Sequence, residues 1–302
     1  MKQPLRKTIV IVGPTASGKS DLAIALAQKY DGEIISADSR QVYRGMDIGT
    51  GKVTKNEQEL VRHWLLDVAS PKRSYNVTHF IRDAKKIIAH IQKRRKLAII
   101  CGGTGFWVEA LLFEKNFPKV KPIPALRKKL EKLSTEKLFL MLKQEDPARA
   151  ATIDQYNKVR LIRALEIIEF LGKVPPLTSN QRSTINKECL VIALVPPQET
   201  LHKNINLRLD KRFAQGMIEE VETLRKNGVS FKRLESFGLE YRFVSLFLQK
   251  RLALEEMKKQ LEMEIRRYAK RQLTFLRRLE RSGLAIHWIS DPKKAESLIS
   301  KM

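Results

Sequence analysis

Residues Gly13-Pro14-Thr15-Ala16-Ser17-Gly18-Lys19-Ser20 satisfy G-x-x-x-x-G-K-[ST] at every defined position, and no other stretch restricts the fold as tightly. Glycines at both ends let the backbone curl so that successive N–H groups point inward at an anion. Lys19 adds a mobile cation, and Ser20 offers a hydroxyl to a phosphate-bound Mg²⁺. A phosphate nest of this kind needs a strand before it and a helix N-terminus after it. The flanks comply: Thr8–Val12 is a β-branched run and residues 21–27 are rich in helix formers. The expected fold is therefore α/β, a P-loop NTPase-like parallel sheet flanked by helices. Gly13, Thr15, Ala16, Ser17, Gly18, Lys19 and Ser20 are expected to hold phosphate.

The first hundred residues repeat the strand-helix alternation. Residues 33–36 read as a second strand, which delivers Asp38-Ser39-Arg40-Gln41-Val42-Tyr43 to its carboxyl end. Residues 78–95 form a helical pattern with Phe80, Ile81, Ala84, Ile87, Ile88 and Ile91 on one side. A third strand, Leu97–Cys101, runs into Gly102-Gly103-Thr104-Gly105. Ligands of such sheets sit at the carboxyl ends of the strands. Residues 1–113 are thus read as the first part of the core.

Composition changes after Phe113. Pro118, Pro122 and Pro124 stiffen the chain, and residues 127–143 and 157–171 read as amphipathic helices separated by the helix-start signal Asp146-Pro147. Residues 114–189 are expected to be a helical insertion, ended by Pro175-Pro176 and a polar stretch. Residues 190–302 complete the core, with a strand at 190–194, a long helix at 252–281 and a last strand at 286–289.

Charge points to a partner. The chain carries 58 Lys and Arg against 33 Asp and Glu, a net +25, an excess that a polyanion such as nucleic acid would use. A membrane fits less well, because no apolar run approaches the roughly 18 residues of a spanning helix. The basic Lys2, Arg6 and Lys7 imitate a signal peptide, but the apolar run behind them stops at the phosphate loop. The two cysteines, Cys101 and Cys189, form neither a disulfide framework nor a metal-ligand spacing, which suits a reducing, cytoplasmic setting.

An NTP hydrolase usually places an Asp directly after a later apolar strand. Here Leu97–Cys101 meets glycines instead, and the acidic group comes early, at Asp38. An early Asp beside a phosphate loop suits group transfer, with the carboxylate taking the acceptor's proton. A small-molecule or nucleotide kinase and a nucleotide-gated RNA-binding protein both remain open on these residues.

Gly13 to Ser20, the segment Asp38-Ser39-Arg40-Gln41-Val42-Tyr43-Arg44-Gly45-Met46-Asp47-Ile48-Gly49-Thr50, and Gly102-Gly103-Thr104-Gly105 together resemble the tRNA dimethylallyltransferase family in order and spacing. Asp146-Pro147 with Ala150, Arg160 with Arg163-Ala164-Leu165-Glu166, and Tyr268-Ala269-Lys270-Arg271-Gln272-Leu273-Thr274 extend the resemblance over almost the whole chain. It implies transfer of a dimethylallyl group from dimethylallyl diphosphate to N6 of adenine 37 in the tRNA anticodon loop, with release of diphosphate. By the motif positions, Thr15 to Ser20 bind the donor, Ser20 reaches Mg²⁺, Asp38 is the base for adenine N6, Thr104 positions the reacting groups and Arg212 faces the departing diphosphate. Arg208, one turn earlier, is a rival for that last role. N6 of a stacked adenine is hidden, so the base is expected to be extruded toward Asp38. The backbone of Asp38, Ser39, Arg40 and Gln41, with the Gln41 side chain, would then read its edge. Arg127, Arg160 and Arg163 in the insertion are the expected tRNA contacts, although Glu166 and Glu169 stand where they can pair with Arg163. No protein partner is implied, and a monomer is expected.

This chain departs from the commoner family pattern at Gly238-Leu239-Glu240-Tyr241, at Phe275-Leu276 and at His63-Trp64, and it shortens the segment between Arg212 and Gly216.

The last long helix has a basic face. At about 100° per residue, Lys270 and Arg277 fall within about 40° of Arg266, and Arg267, Arg271 and Arg278 lie between about 100° and 140°. Leu261, Ile265, Tyr268, Phe275, Leu276 and Leu279 occupy the opposite arc, between about 180° and 280°. No acid occurs from Arg266 to Arg278. Arg267, Lys270 and Arg271 are therefore expected to meet RNA phosphates while the apolar arc docks on the core.

Overall fold

The computed structural model describes residues 8–176 and 189–300. Lys2, Arg6, Lys7 and the polar end of the insertion lie outside the described residues. The chain divides into two compact units, one of Met1–Glu114 with Gln181–Met302 and the other of Lys115–Asn180.

In the first unit, β1 (Thr8–Val12) is followed by α1 (Lys19–Lys29), β2 (Gly32–Ser36), α2 (Lys55–Leu60), β3 (His63–Trp64), α3 (Val77–Lys93), β4 (Leu97–Cys101) and α4 (Gly105–Leu112). The sheet has six strands in the order β3-β2-β4-β1-β5-β6, with β5 at Cys189–Leu194 and β6 at His287–Ile289. Every adjacent pair is parallel, for example Ile9 opposite Ile99 and Leu190. The phosphate-loop strand β1 is thus central, and the loop opens at the carboxyl edge shared with β2, β4 and β5.

Strand side chains alternate between two cores, as a two-sided parallel sheet requires. Ile9, Ile11, Ile34, Ile99 and Ile192 pack with Leu22, Ala23, Leu26 and Ala27 of α1. Val10, Ile35, Ile100 and Val191 face the other core, with Phe80 and Ile88 of α3 and Trp107 and Leu111 of α4. The short elements α2 and β3 carry too few residues for a periodic signal. A capping box between Thr54 and Glu57 starts α2.

The second unit contains α5 (Pro124–Leu130), α6 (Thr135–Glu145), α7 (Pro147–Ala150) and α8 (Lys158–Leu171). The single helix expected over residues 127–143 is two helices. Ser134 caps α6 by accepting a hydrogen bond from the Lys137 N–H, and this local bond competes with continuation of α5. Asp146 and Asn157 cap α7 and α8 in the same way. Leu130, Leu138, Leu142, Leu161, Ile162 and Leu165 form this unit's core.

Back in the first unit, β5 leads into α9 (Gln198–Ala214), α10 (Met217–Lys226), α11 (Phe231–Phe237), α12 (Leu239–Leu248), the 28-residue α13 (Leu254–Arg281) and, past β6, α14 (Lys294–Ile299). The buried side of α13 is Met257, Leu261, Ile265, Ala269, Gln272, Leu276 and Leu279. Tyr268 and Phe275, expected within the apolar arc, are half-buried, and Gln272 is buried in their place.

Candidate active site

The phosphate loop owes its shape to residues that accept unusual backbone angles. Gly13 has φ 150°, and a Cβ there would lie 2.3 Å from the Leu194 carbonyl oxygen, so only glycine fits. Ala16 at φ 62° and Gly18 at φ 87° complete the curl into α1. Neighbouring helices brace the loop: Gln272 of α13 accepts the Thr15 N–H at 2.8 Å, and Asn204 of α9 donates to the Ala16 carbonyl at 3.3 Å. The Ser17 hydroxyl is buried with no partner among the described residues, as expected of a group that meets a ligand oxygen. Lys19 donates to the Pro14 carbonyl at 2.6 Å. Desolvation, reinforced by the nearby Arg208, pushes its pKa down to about 8 against the opposing pull of Cys101 and Asp38.

Asp38 stands just beyond β2. The ends of β2 and β4 approach so closely that a Cβ on Gly102 would fall 2.3 Å from the Ala37 carbonyl oxygen. Thr104 joins them: its N–H reaches the Ala37 carbonyl at 3.3 Å, and its hydroxyl accepts the Ser39 N–H at 3.0 Å. One Asp38 carboxylate oxygen, Oδ1, accepts the N–H groups of Arg40 at 2.8 Å and Gln41 at 3.4 Å. This turn orients the carboxylate. The Gln41 amide is held by the Ser36 hydroxyl at 3.0 Å and the Gly51 carbonyl at 3.2 Å, and Arg40 donates to the Phe237 carbonyl at 2.7 Å. Glu220 of α10 anchors the next loop by accepting the N–H groups of Asp47, Ile48 and Gly49.

These segments enclose a cavity of about 370 Å³ whose walls include Thr15, Lys19, Ser20, Asp38, Ser39, Gln41, Arg208 and Tyr268. A wider groove of about 870 Å³ adjoins it, sharing Lys19, Ser20, Arg208 and Arg212 and continuing to Lys211 and Lys52. Lys19, Arg208 and Arg212 thus line both spaces; in the groove Lys52 is paired with Asp47 and Asp67, and Asp38 lines only the narrower cavity.

The two candidate arginines of α9 differ. Arg212 is buried and pairs with Glu240 at 2.5 Å, so its charge is already balanced. Arg208 has no carboxylate contact among the described residues, and desolvation together with the Arg212 charge lowers its pKa to about 10. Glu240 belongs to the Gly-Leu-Glu-Tyr departure seen in the sequence, and it is buried against Arg212.

Along α13, Arg267, Lys270 and Arg271 are exposed. The expected acid-free face needs correction, because acids one turn earlier reach into it. Glu264 lies 2.6 Å from Arg267 and 3.9 Å from Arg271, and Glu262 pairs with Arg266. Arg278 meets Glu109 of α4 at 3.1 Å. In the second unit, Arg127 grips the fully buried Glu166 through two hydrogen bonds of 2.6 and 2.7 Å. Arg163 also reaches Glu166, at 3.4 Å, and donates to the Val120 carbonyl. Arg160, by contrast, is exposed.

Sequence reasoning did not single out Gln272, Glu220 or Glu240, and it placed Tyr268 on the docking face. Gln272 and Tyr268 sat inside a quoted motif, so the signal was present; their roles depended on which way α13 is rotated. Tyr268 lines the cavity, and burial with the Asp38 charge holds its phenol strongly protonated.

A family model described as IPP transferase matches residues 41–279. The tRNA dimethylallyltransferase 1 of Geotalea uraniireducens is 40% identical over 295 residues, covering 96% of each chain. The tRNA dimethylallyltransferase of Treponema pallidum is 42% identical, covering 93% of this chain and 90% of its own. Among solved structures, the tRNA isopentenylpyrophosphate transferase of Bacillus halodurans superposes with a TM-score of 0.71 at 33% identity, covering 98% and 96% of the two chains. A eukaryotic dimethylallyltransferase acting on tRNA shares the fold, with a TM-score of 0.75 at 24% identity, over 98% of this chain and 77% of its own.

Proposed function

The chain belongs to the IPP transferase family, the tRNA dimethylallyltransferases, and on that premise we propose that it moves a dimethylallyl group from dimethylallyl diphosphate to N6 of adenine 37 in the tRNA anticodon loop. The observation that carries this reading is that Lys19 and Ser20 of the phosphate loop line the same cavity as the Asp38 carboxylate, next to the groove lined by Ala16, Ser17 and Gly18. The diphosphate rests on the loop N–H groups, Lys19 and the Ser17 hydroxyl. Arg208, the arginine whose charge is not already balanced, faces the leaving group as its negative charge grows. Thr104 fixes the Asp38 loop, and Asp38 takes the proton from N6. Tyr268 and Phe237 supply aromatic walls against which an extruded base can pack.

Among the described residues no three His, Cys, Asp or Glu side chains gather as a metal-ligand set. A Mg²⁺ would therefore be carried mainly by diphosphate oxygens and water, with the Ser20 hydroxyl as protein ligand, which is the coordination Mg²⁺ ordinarily accepts. Bound there, it would offset charge on the departing diphosphate.

Incubating tRNA with the protein and dimethylallyl diphosphate, followed by mass spectrometry of nuclease fragments, tests the reaction and its position. A mass increase elsewhere than adenine 37, or one seen with ATP as donor, would contradict it.

The lowered pKa of Lys19 gives a pH dependence. Diphosphate favours the ammonium form, and the free protein loses that proton above about pH 8. Donor affinity should therefore hold below pH 8 and fall above it, toward tenfold per pH unit until the bound-state pKa is reached. Calorimetric titration with donor in buffers of different ionisation heats would record the accompanying proton uptake.

The basic face of α13 is proposed to bind tRNA phosphates through Arg267, Lys270 and Arg271, with Arg160 as the exposed contact in the insertion. Charge reversal at Arg267 and Arg271 should weaken tRNA binding and lower the salt dependence by roughly one unit of slope per lost phosphate contact. Because Glu264 occupies both arginines, Glu264→Gln should act in the opposite direction. Filter binding across a salt series distinguishes the two. Among the described residues no helix is long and apolar enough to cross a membrane.

A further inference from the structure

We propose that Gln272 is a positioning residue that sets the spacing between the phosphate cradle and the acceptor loop; this rests on the donor reading of the Gly13 to Ser20 segment. Its side chain is buried, 8% exposed, and both ends of the amide are used. Oε1 accepts the Thr15 N–H at 2.8 Å, and Nε2 donates to the Gly103 carbonyl at 2.8 Å. Thr15 opens the phosphate loop. Gly103 precedes Thr104, whose hydroxyl holds Ser39 beside Asp38. One amide thus ties together the two loops that the reaction must bring face to face, and neither loop bonds to that amide through a replaceable side chain.

The packing around it leaves little play. A Cβ on Gly103 would lie 2.5 Å from Gln272 Nε2, and a Cβ on Gly105 would lie 2.5 Å from the Phe275 ring. Helix α13 is keyed into the glycine-rich turn by these close approaches. The Thr15 N–H is committed to Gln272, so the phosphate must be held by donors deeper in the loop, and Gln272 fixes where that part begins. A neutral amide suits the position because it donates at one end and accepts at the other; methionine matches its length and does neither. The immediate neighbours Lys270 and Arg271 are exposed on the basic face, so the same turn of helix presents cations outward and the strut inward.

Misplacing reacting groups by about 1 Å costs on the order of 10²-fold in rate with little change in binding. Gln272→Met should therefore lower single-turnover transfer by roughly 10- to 100-fold while dissociation constants for donor and tRNA stay within about threefold. The Thr15 amide should lose protection from hydrogen exchange in the free protein. Gln272→Glu separates the two bonds: it keeps an acceptor for the Thr15 N–H but sets an oxygen against the Gly103 carbonyl, so Thr15 protection should persist while transfer still falls. Thr274→Ala, on the exposed side of the same turn, should leave all three readouts unchanged. Transfer at the wild-type rate by Gln272→Met would overturn the proposal, as would parallel losses of melting temperature, affinity and rate in both Gln272 variants. A wild-type chain that binds no diphosphate donor would instead remove the site reading on which the proposal stands.

Discussion

Asp38→Asn should bind donor and tRNA almost normally and lose roughly 10²- to 10⁴-fold in single-turnover transfer, the usual loss for a missing general base. The lone pair of adenine N6 is delocalised into the ring, so attack on the allylic carbon leaves a cationic nitrogen whose proton needs an acceptor. A carboxylate in reach orients N6 before attack and takes the proton during or after it. The structure makes the asparagine variant a clean test. The Oδ1 atom of Asp38 accepts two backbone N–H groups, from Arg40 and Gln41, and the amide oxygen of asparagine can accept both in the same geometry, though more weakly than a carboxylate. The turn therefore keeps both bonds, while the negative charge and with it the proton-accepting capacity are lost. Asp38→Ala removes the turn as well and should impair binding of the base in addition. Transfer by the asparagine variant within a few-fold of wild type would falsify the base assignment, and loss of donor binding with unimpaired chemistry would make Asp38 a ligand of the donor's metal.

Lys19→Ala should weaken donor binding by about thirtyfold to a few thousandfold, with tRNA affinity spared. Removing one partner of a desolvated, hydrogen-bonded charge pair costs about 2 to 5 kcal/mol, and each 1.4 kcal/mol is tenfold in affinity. The Lys19 ammonium donates to the Pro14 carbonyl of its own loop, and burial disfavours its charge. Truncation should consequently leave the unliganded fold intact, so the effect should appear in donor titrations and scarcely in thermal unfolding of the free protein. If tRNA affinity collapses and donor binding survives, the loop has been assigned to the wrong substrate.

Much of the donor side was legible in the primary structure because its requirements are local. A phosphate nest needs glycines at Gly13 and Gly18, a lysine and a hydroxyl at fixed spacing, and a strand and helix on either side; all of these are consecutive residues. The parallel sheet followed from the same logic, since short β-branched runs alternating with amphipathic helices leave few other ways to bury both faces. The kinase and RNA-binding alternatives were separated from prenyl transfer by the extended resemblance, and the relatives at about 40% identity support that choice.

Tertiary structure decided whatever depends on partners distant in sequence. Arg208 and Arg212 are indistinguishable by spacing on α9, and both line the cavity; only the fold shows that the carboxylate of Glu240, from another helix, pairs with Arg212. Arg127 looks like a free basic residue until α5 and α8 pack and bring it onto buried Glu166, whereas the contact of Arg163 with Glu166, one turn along the same helix, was already readable in the sequence. A helical wheel divides α13 into two arcs, but it cannot fix the rotation that puts Gln272 rather than Phe275 in the interior. That rotation is set by the close approach of Gly103 and Gly105, some 170 residues earlier in the chain, as the 169-residue separation of the Gln272–Gly103 bond records. Periodicity reports which residues share a face; only packing against a particular neighbour determines which of them touches it.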